Sequence, residues 1–169
     1  MFVKIYVPTL DVYTIKSNMK DIGDEIKQTK FKSDIEKAVI NLVFTANWLN
    51  LRNTQLFKEF GLSPQQFNVL RILRGQHPEP ATVNLISIRM LDKSSNASRL
   101  VDKLIIKELV ERKTCPNDRR AVDILITKKG LEALLKLDSV IKEFHKKLSK
   151  NISAEEAKLL NELLNKIRK

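Results

Sequence analysis

Residues 91–126 read LDKSSNASRLVDKLIIKELVERKTCPNDRRAVDILI, and two hydrophobic periods meet inside them. Ala97, Leu100, Val101, Leu104 and Ile105 follow an i, i+3, i+4, i+7, i+8 spacing, which lays them on one face of a helix. Ser95, Asn96, Ser98, Arg99, Asp102 and Lys103 then fall on the opposite face. Asp92 or Ser94 is expected to cap this helix. Further on the period drops to two, in 109–112 and again in 122–126, so two strands are expected around a loop at 113–121. That loop holds Cys115-Pro116-Asn117-Asp118, residue types that favour turns.

Working back toward the N-terminus, Thr82 can cap a short helix with Val83, Ile86 and Met90 facing inward. A turn of about three residues around Leu91 would join it to the helix just described. His77-Pro78-Glu79-Pro80 can only be loop. Before it, Ser63-Pro64-Gln65-Gln66 is a capping box with proline at the first helical position, opening a helix through Phe67, Leu70 and Leu73 to Gly75. Asn53 is expected to open a separate short helix carrying Leu56, Phe57 and Phe60, closed by Gly61. From Phe31 a long helix shows two stripes: Ile35, Ala38, Leu42, Ala46 and Leu49 on one, Ile40, Phe44 and Trp48 on the other. A helix apolar on two sides needs two partners, one of which a second subunit can supply. Residues 1–18 lack the apolar core and cleavage site of a secretory signal and read either as a loose arm or as an overhang ahead of a true start at Met19.

Toward the C-terminus, Thr127 can cap a helix in which Leu134, Leu137, Ile141, Phe144 and Leu148 keep a 3-4-3-4 spacing like a coiled-coil seam. Ser153 to Glu156 forms a second capping box ahead of Ala157, Leu160, Leu163, Leu164 and Ile167. The expected fold is mainly α with a small two-stranded β wing, a winged helix-turn-helix with dimerisation helices at both ends. Its divisions are 1–18 (arm), 19–52 (N-terminal dimerisation region), 53–130 (winged helix-turn-helix) and 131–169 (C-terminal dimerisation helices).

Composition narrows the classes. The 169 residues are long enough for one domain with extensions, and only four glycines and five prolines argue against an all-β architecture. The longest nearly apolar stretch, 38–44, contains Asn41, so no segment is expected to span a bilayer. One cysteine cannot form an internal bridge, which fits a cytoplasmic setting. The net charge of +11 attracts polyanions. It is only mildly focused, with 11 basic against six acidic residues over 85–130.

Double-stranded DNA matches the exposed groups of this central stretch. A helix fits the major groove, where Asn96 can pair with adenine and Arg99 with guanine, while Ser94, Ser95 and Ser98 suit phosphate oxygens or base edges. Lys103 is placed for phosphate, and Arg119 and Arg120 for a narrow minor groove. Each has a plainer reading as a solvated surface or turn residue.

The sequence here resembles the MarR family of bacterial transcriptional regulators. The resemblance covers roughly residues 31–169 and is strongest from Leu91 to Leu131, through LDKSSNASRLVDKL, KELVERK and CPNDRRAVDILITKKG. Its most specific motif is Asp-x-Arg, met as Asp118-Arg119-Arg120. The resemblance implies that Asp118 steadies Arg120 for the minor groove, with Arg119 as second candidate, and that terminal helices form a homodimer. Asn96-Ala97 stands where β-branched residues are common in the family, so its base preferences do not transfer.

No Gly-rich phosphate loop, GxSxG turn or HExxH occurs, so catalysis is not expected, nor is a cofactor. His77 and His145 read as surface or loop residues rather than metal ligands, and Cys115 as a passive thiol. Phe44 and Trp48 read as core, and also as walls for a small aromatic effector between the dimer helices and the DNA-binding unit. The reading is a dimeric repressor on a pseudo-palindromic operator. Its rivals are a winged-helix protein-interaction module and a non-specific architectural DNA binder.

Overall fold

A computed structural model of the chain describes residues 21–115 and 118–169, without the side chains of 114–115 and 118–121. The arm at 1–18 and the start at Met19 therefore lie outside the described residues. Two compact units divide between Leu49 and Asn50.

In the first unit, α1 (Ile22–Ile26) is capped by Asp21, whose carboxylate accepts from the Gly23 N–H at 2.9 Å. Ile22 is buried, and the Lys37 ammonium lies 2.7 Å from the Asp21 carboxylate. This pair holds the Asp21 carboxyl below its ordinary value. α2 (Asp34–Lys58) begins in this unit. Its Ile35, Val39, Val43 and Phe44 are exposed.

α2 runs unbroken for 25 residues, so Asn53 does not open a helix of its own. The correction has a local reason: Asn and Thr at 53–54 resemble a cap, but the Thr54 hydroxyl donates to the Asn50 carbonyl one turn back, a bond that helical backbone accommodates. Gly61 follows with φ +65°, the left-handed conformation expected of it past a helix end.

The second unit holds the core. α3 (Pro64–Gln76) starts at the expected box: the Gln66 N–H donates to Ser63 Oγ at 3.1 Å and the Ser63 N–H to Gln66 Oε1 at 3.0 Å. Thr82 caps α4 (Val83–Arg89), Asn96 caps α5 (Ala97–Ile106), and Thr127 caps α6 (Lys128–Leu148). Ser153 and Glu156 box the start of α7 (Ala154–Ile167). Val69, Leu70, Ile86, Val101, Leu104, Leu134 and Leu137 are fully buried against one another's elements.

The antiparallel strands β1 (Val110–Cys115) and β2 (Asp118–Ile126) pair Val110 with Ile126 through Thr114 with Val122, then shift to Cys115 with Asp118. Both are longer than the alternation predicts. Polar residues at 113–114 and 118–120 hide the period, but backbone pairing does not need it. Ala81 exchanges two 2.9 Å backbone bonds with Ile124, which ties the segment before α4 to the hairpin. At the hairpin's base a Cβ on Gly130 would run into the Leu109 carbonyl and lie 2.7 Å from Ile126 Cγ1, so α6 meets the hairpin at a distance only glycine allows. Among the described residues no helix is long and apolar enough to cross a membrane.

The apolar stripe of α6 corrects another expectation. Leu134 and Leu137 are fully buried within this chain and Ile141 packs against the same core, so the first half of the seam is not spent on a partner.

Candidate nucleic-acid interface

α4 and α5 are joined by seven residues, 90–96, rather than about three, and α5 starts later than expected. Neither Asp92 nor Ser94 caps it. Asn96 Oδ1 accepts from the Arg99 N–H at 2.9 Å, so this oxygen already serves the helix end. Ser94, Ser95 and Asn96 accordingly sit before the helix, while Ser98, Arg99 and Lys103 lie on it.

The burial pattern sets the orientation of α5. Ala97, Val101 and Leu104 face inward, leaving Ser98, Arg99, Asp102 and Lys103 exposed on the far side. Among the described residues neither Arg99 nor Lys103 has a carboxylate within ion-pair distance. Asp102, between them, is partnered: its carboxylate lies 2.7 Å from the Arg112 guanidinium on β1. Sequence reading missed this pair, because ten residues and a change of element separate its members. It masks the one negative charge on a face that is otherwise cationic, and links that face to the hairpin.

The turn itself is a dense set of hydrogen bonds. The Asp92 carboxylate accepts from the Ser94 hydroxyl at 2.6 Å, the Ser94 N–H at 3.0 Å and the Ser95 hydroxyl at 2.9 Å. These donors, the Ser94 hydroxyl foremost, hold its carboxyl at about 2, well under the ordinary carboxylate value. Asn68 Oδ1, on α3, accepts from the Leu91 N–H at 2.9 Å, and the Lys93 ammonium donates to the Ile88 carbonyl at the end of α4. The backbone of Asp118, Arg119 and Arg120 lies in β2, and the roles expected of their side chains, like that of the Cys115 thiol, fall outside the described residues.

Two cavities among the described residues bear on ligand binding. Phe44 and Trp48 line one of about 620 Å³ together with Asp21, Ile22, Glu25 and Asn41, all within the first unit. The other, about 490 Å³, lies in the second unit among Phe57, Phe67, Arg71, Ile141, Phe144 and His145. Among the described residues no group of three His, Cys, Asp or Glu is placed to hold a metal ion.

Comparison with known proteins agrees with this geometry. A family model for the MarR family matches residues 60–121, which spans α3 to the second strand. The multiple antibiotic resistance protein MarR of Escherichia coli (strain K12) is 30% identical over 144 residues, covering 82% of this chain and 98% of that one. The HTH-type transcriptional regulator MhqR of Bacillus subtilis (strain 168) is 32% identical over 110 residues, covering 63% and 72%. Among solved structures, a MarR transcription factor from Planctomyces limnophilus superposes with a TM-score of 0.62 at 31% identity, over 80% of this chain and 98% of that one. The S. aureus MepR–DNA complex superposes at 0.66 over 76% and 92%, and at 20% identity shares the fold. With its helical core, two-stranded wing and full-length likeness to the E. coli protein, this chain belongs to the MarR family of winged-helix transcriptional regulators.

Proposed function

We propose that the protein binds a pseudo-palindromic DNA operator as a homodimer in the cytoplasm and represses transcription by occluding it. Residues 53–130 read the DNA, and 19–52 with 131–169 form the dimer. Two copies of α5 enter successive major grooves about 34 Å apart. The observation that carries this reading is the outward face of α5, where, among the described residues, Arg99 and Lys103 have no carboxylate partner while Asp102 is masked by Arg112. Ser94, Ser95 and Ser98 contact phosphates or base edges, Asn96 offers its amide N–H₂ alone, and Asp118, Arg119 and Arg120 serve the minor groove. MepR, of the same fold, has been solved on DNA, which supports the assignment.

A footprint across the adjacent intergenic DNA, repeated with two variants, tests it. Arg99→Ala is expected to cost about 1–3 kcal/mol and relax selectivity at one base position, and Lys103→Ala to weaken all duplexes alike and lower the salt slope by about one. A preference below about 10³-fold for the promoter over random duplex would favour an architectural binder, and no binding to either an interaction module.

A small aromatic effector stacking on Phe44 and Trp48 would release the operator by its differential affinity for the two states. Trp48 is the chain's single tryptophan, so quenching of its fluorescence by aromatic carboxylates reads this directly.

A further inference from the structure

The seven residues joining α4 to α5 are anchored by burial only at Met90, 2% exposed, where they begin, and at Ala97, 5% exposed, the first residue of α5 beyond them. Leu91 is 87% exposed, so packing of its side chain does not fix the path between them. What fixes it is polar. Asn68 reaches from α3 to take the Leu91 N–H, and the Asp92 carboxylate gathers the Ser94 N–H and both serine hydroxyls. Ser94 and Ser95 lead directly into the Asn96 cap, so any drift of the turn is passed to the start of α5, where Ser98 and Arg99 stand.

Resting on the DNA-reading function above, we propose that Asn68 and Asp92 are positioning residues: they touch neither base nor phosphate, and set where the turn hydroxyls and the first turn of α5 meet the duplex. A direct DNA-contact role for Asp92 is disfavoured by charge, since a carboxylate repels phosphate, and its oxygens are occupied by donors from its own turn. Removing that carboxylate therefore has two opposite consequences. Charge alone would strengthen binding to every duplex, whereas loss of position weakens binding to the operator only.

The experiment compares operator and random-duplex affinities at one salt concentration for the full-length protein and for Asn68→Ala, Asp92→Ala and Asp92→Asn. Asn68→Ala and Asp92→Ala are expected to lose roughly tenfold in operator affinity, as the loss of one or two hydrogen bonds implies. Random-duplex affinity should hold in Asn68→Ala and rise in Asp92→Ala. Asp92→Asn carries the same charge as Asp92→Ala but keeps an acceptor for Ser94, so it should recover operator affinity. Amide exchange should quicken at Ser94 and Ser95 in the two alanine variants, with α3 and α6 unchanged. Wild-type operator affinity in both alanine variants, equal loss on both duplexes, or an Asp92→Asn no better than Asp92→Ala would overturn the inference. A wild-type protein without operator preference would instead overturn the DNA-reading function itself, before any variant is compared.

Discussion

α5 and α7 are built by the same local rules and meet opposite fates. Each starts at a side-chain cap, Asn96 in one and Ser153 in the other, and each carries an apolar stripe at helical spacing. Yet α5 buries Ala97, Val101 and Leu104, while α7 buries nothing and leaves Leu159, Leu160, Leu163 and Ile167 about half exposed. An amphipathic pattern says that a helix has a face to hide. It does not say whether the cover comes from its own chain or from another. In α5 the cover is α3, α4 and the hairpin. Among the described residues no element buries the stripe of α7, and a second copy of the chain is the cover we propose for it.

The sharpest way to break this contrast is to substitute the same residue type in both helices. Leu104→Ala is expected to destabilise the second unit by about 2–5 kcal/mol, read as a lower denaturant midpoint, because the site is fully enclosed. Leu163→Glu should leave that unit folded but halve the sedimenting mass by placing a charge in the proposed subunit interface. A dimer that survives Leu163→Glu would remove α7 from the interface. Ile141→Glu is not an equivalent probe, since Ile141 packs on its own chain's core and the variant would damage folding as well as assembly.

Smaller effects come from the caps. Ser153→Ala and Asn96→Ala should each cost about 1 kcal/mol of stability, measurable by chemical unfolding, since each removes an acceptor from a helix N-terminus. They should differ in function, with only Asn96→Ala changing operator affinity. The smallest effect is one of pH. The Asp92 carboxyl is lowered in the folded chain, so its contribution is complete above the ordinary carboxylate range and fades only as pH falls toward about 2. The Ser94 amide resonance should therefore stay constant from pH 8 to about pH 4 and move with a midpoint near 2. A midpoint near 4 would mean that the serine bonds are not made in solution.

Much of the architecture is written locally. Ser63, Thr82, Thr127 and Ser153 each cap the helix expected of them, because a cap is settled by a side chain and an N–H three residues away. The stripe of α5 and the existence of a hairpin are equally legible, as periodicity is a property of neighbours. The start of α5 is not. Asp92, Ser94, Ser95 and Asn96 are all capping residues, and the choice among them follows from Asn68 holding Leu91 and from the core accepting Ala97. Asn68 lies 23 residues before Leu91, beyond the reach of any local pattern. The Asp102–Arg112 pair is likewise absent from every short motif, since it depends on how closely the hairpin lies against α5.

The order of the elements, most of their caps and the cationic composition of the reading face were thus decided by the chain's own succession of residues, through contacts spanning a few positions. Which stripe is spent inside the molecule, where α5 begins, and which charges on it remain unpaired were decided by packing. Those outcomes depend on side chains brought together across tens of residues, whose distances exist only once the core has closed.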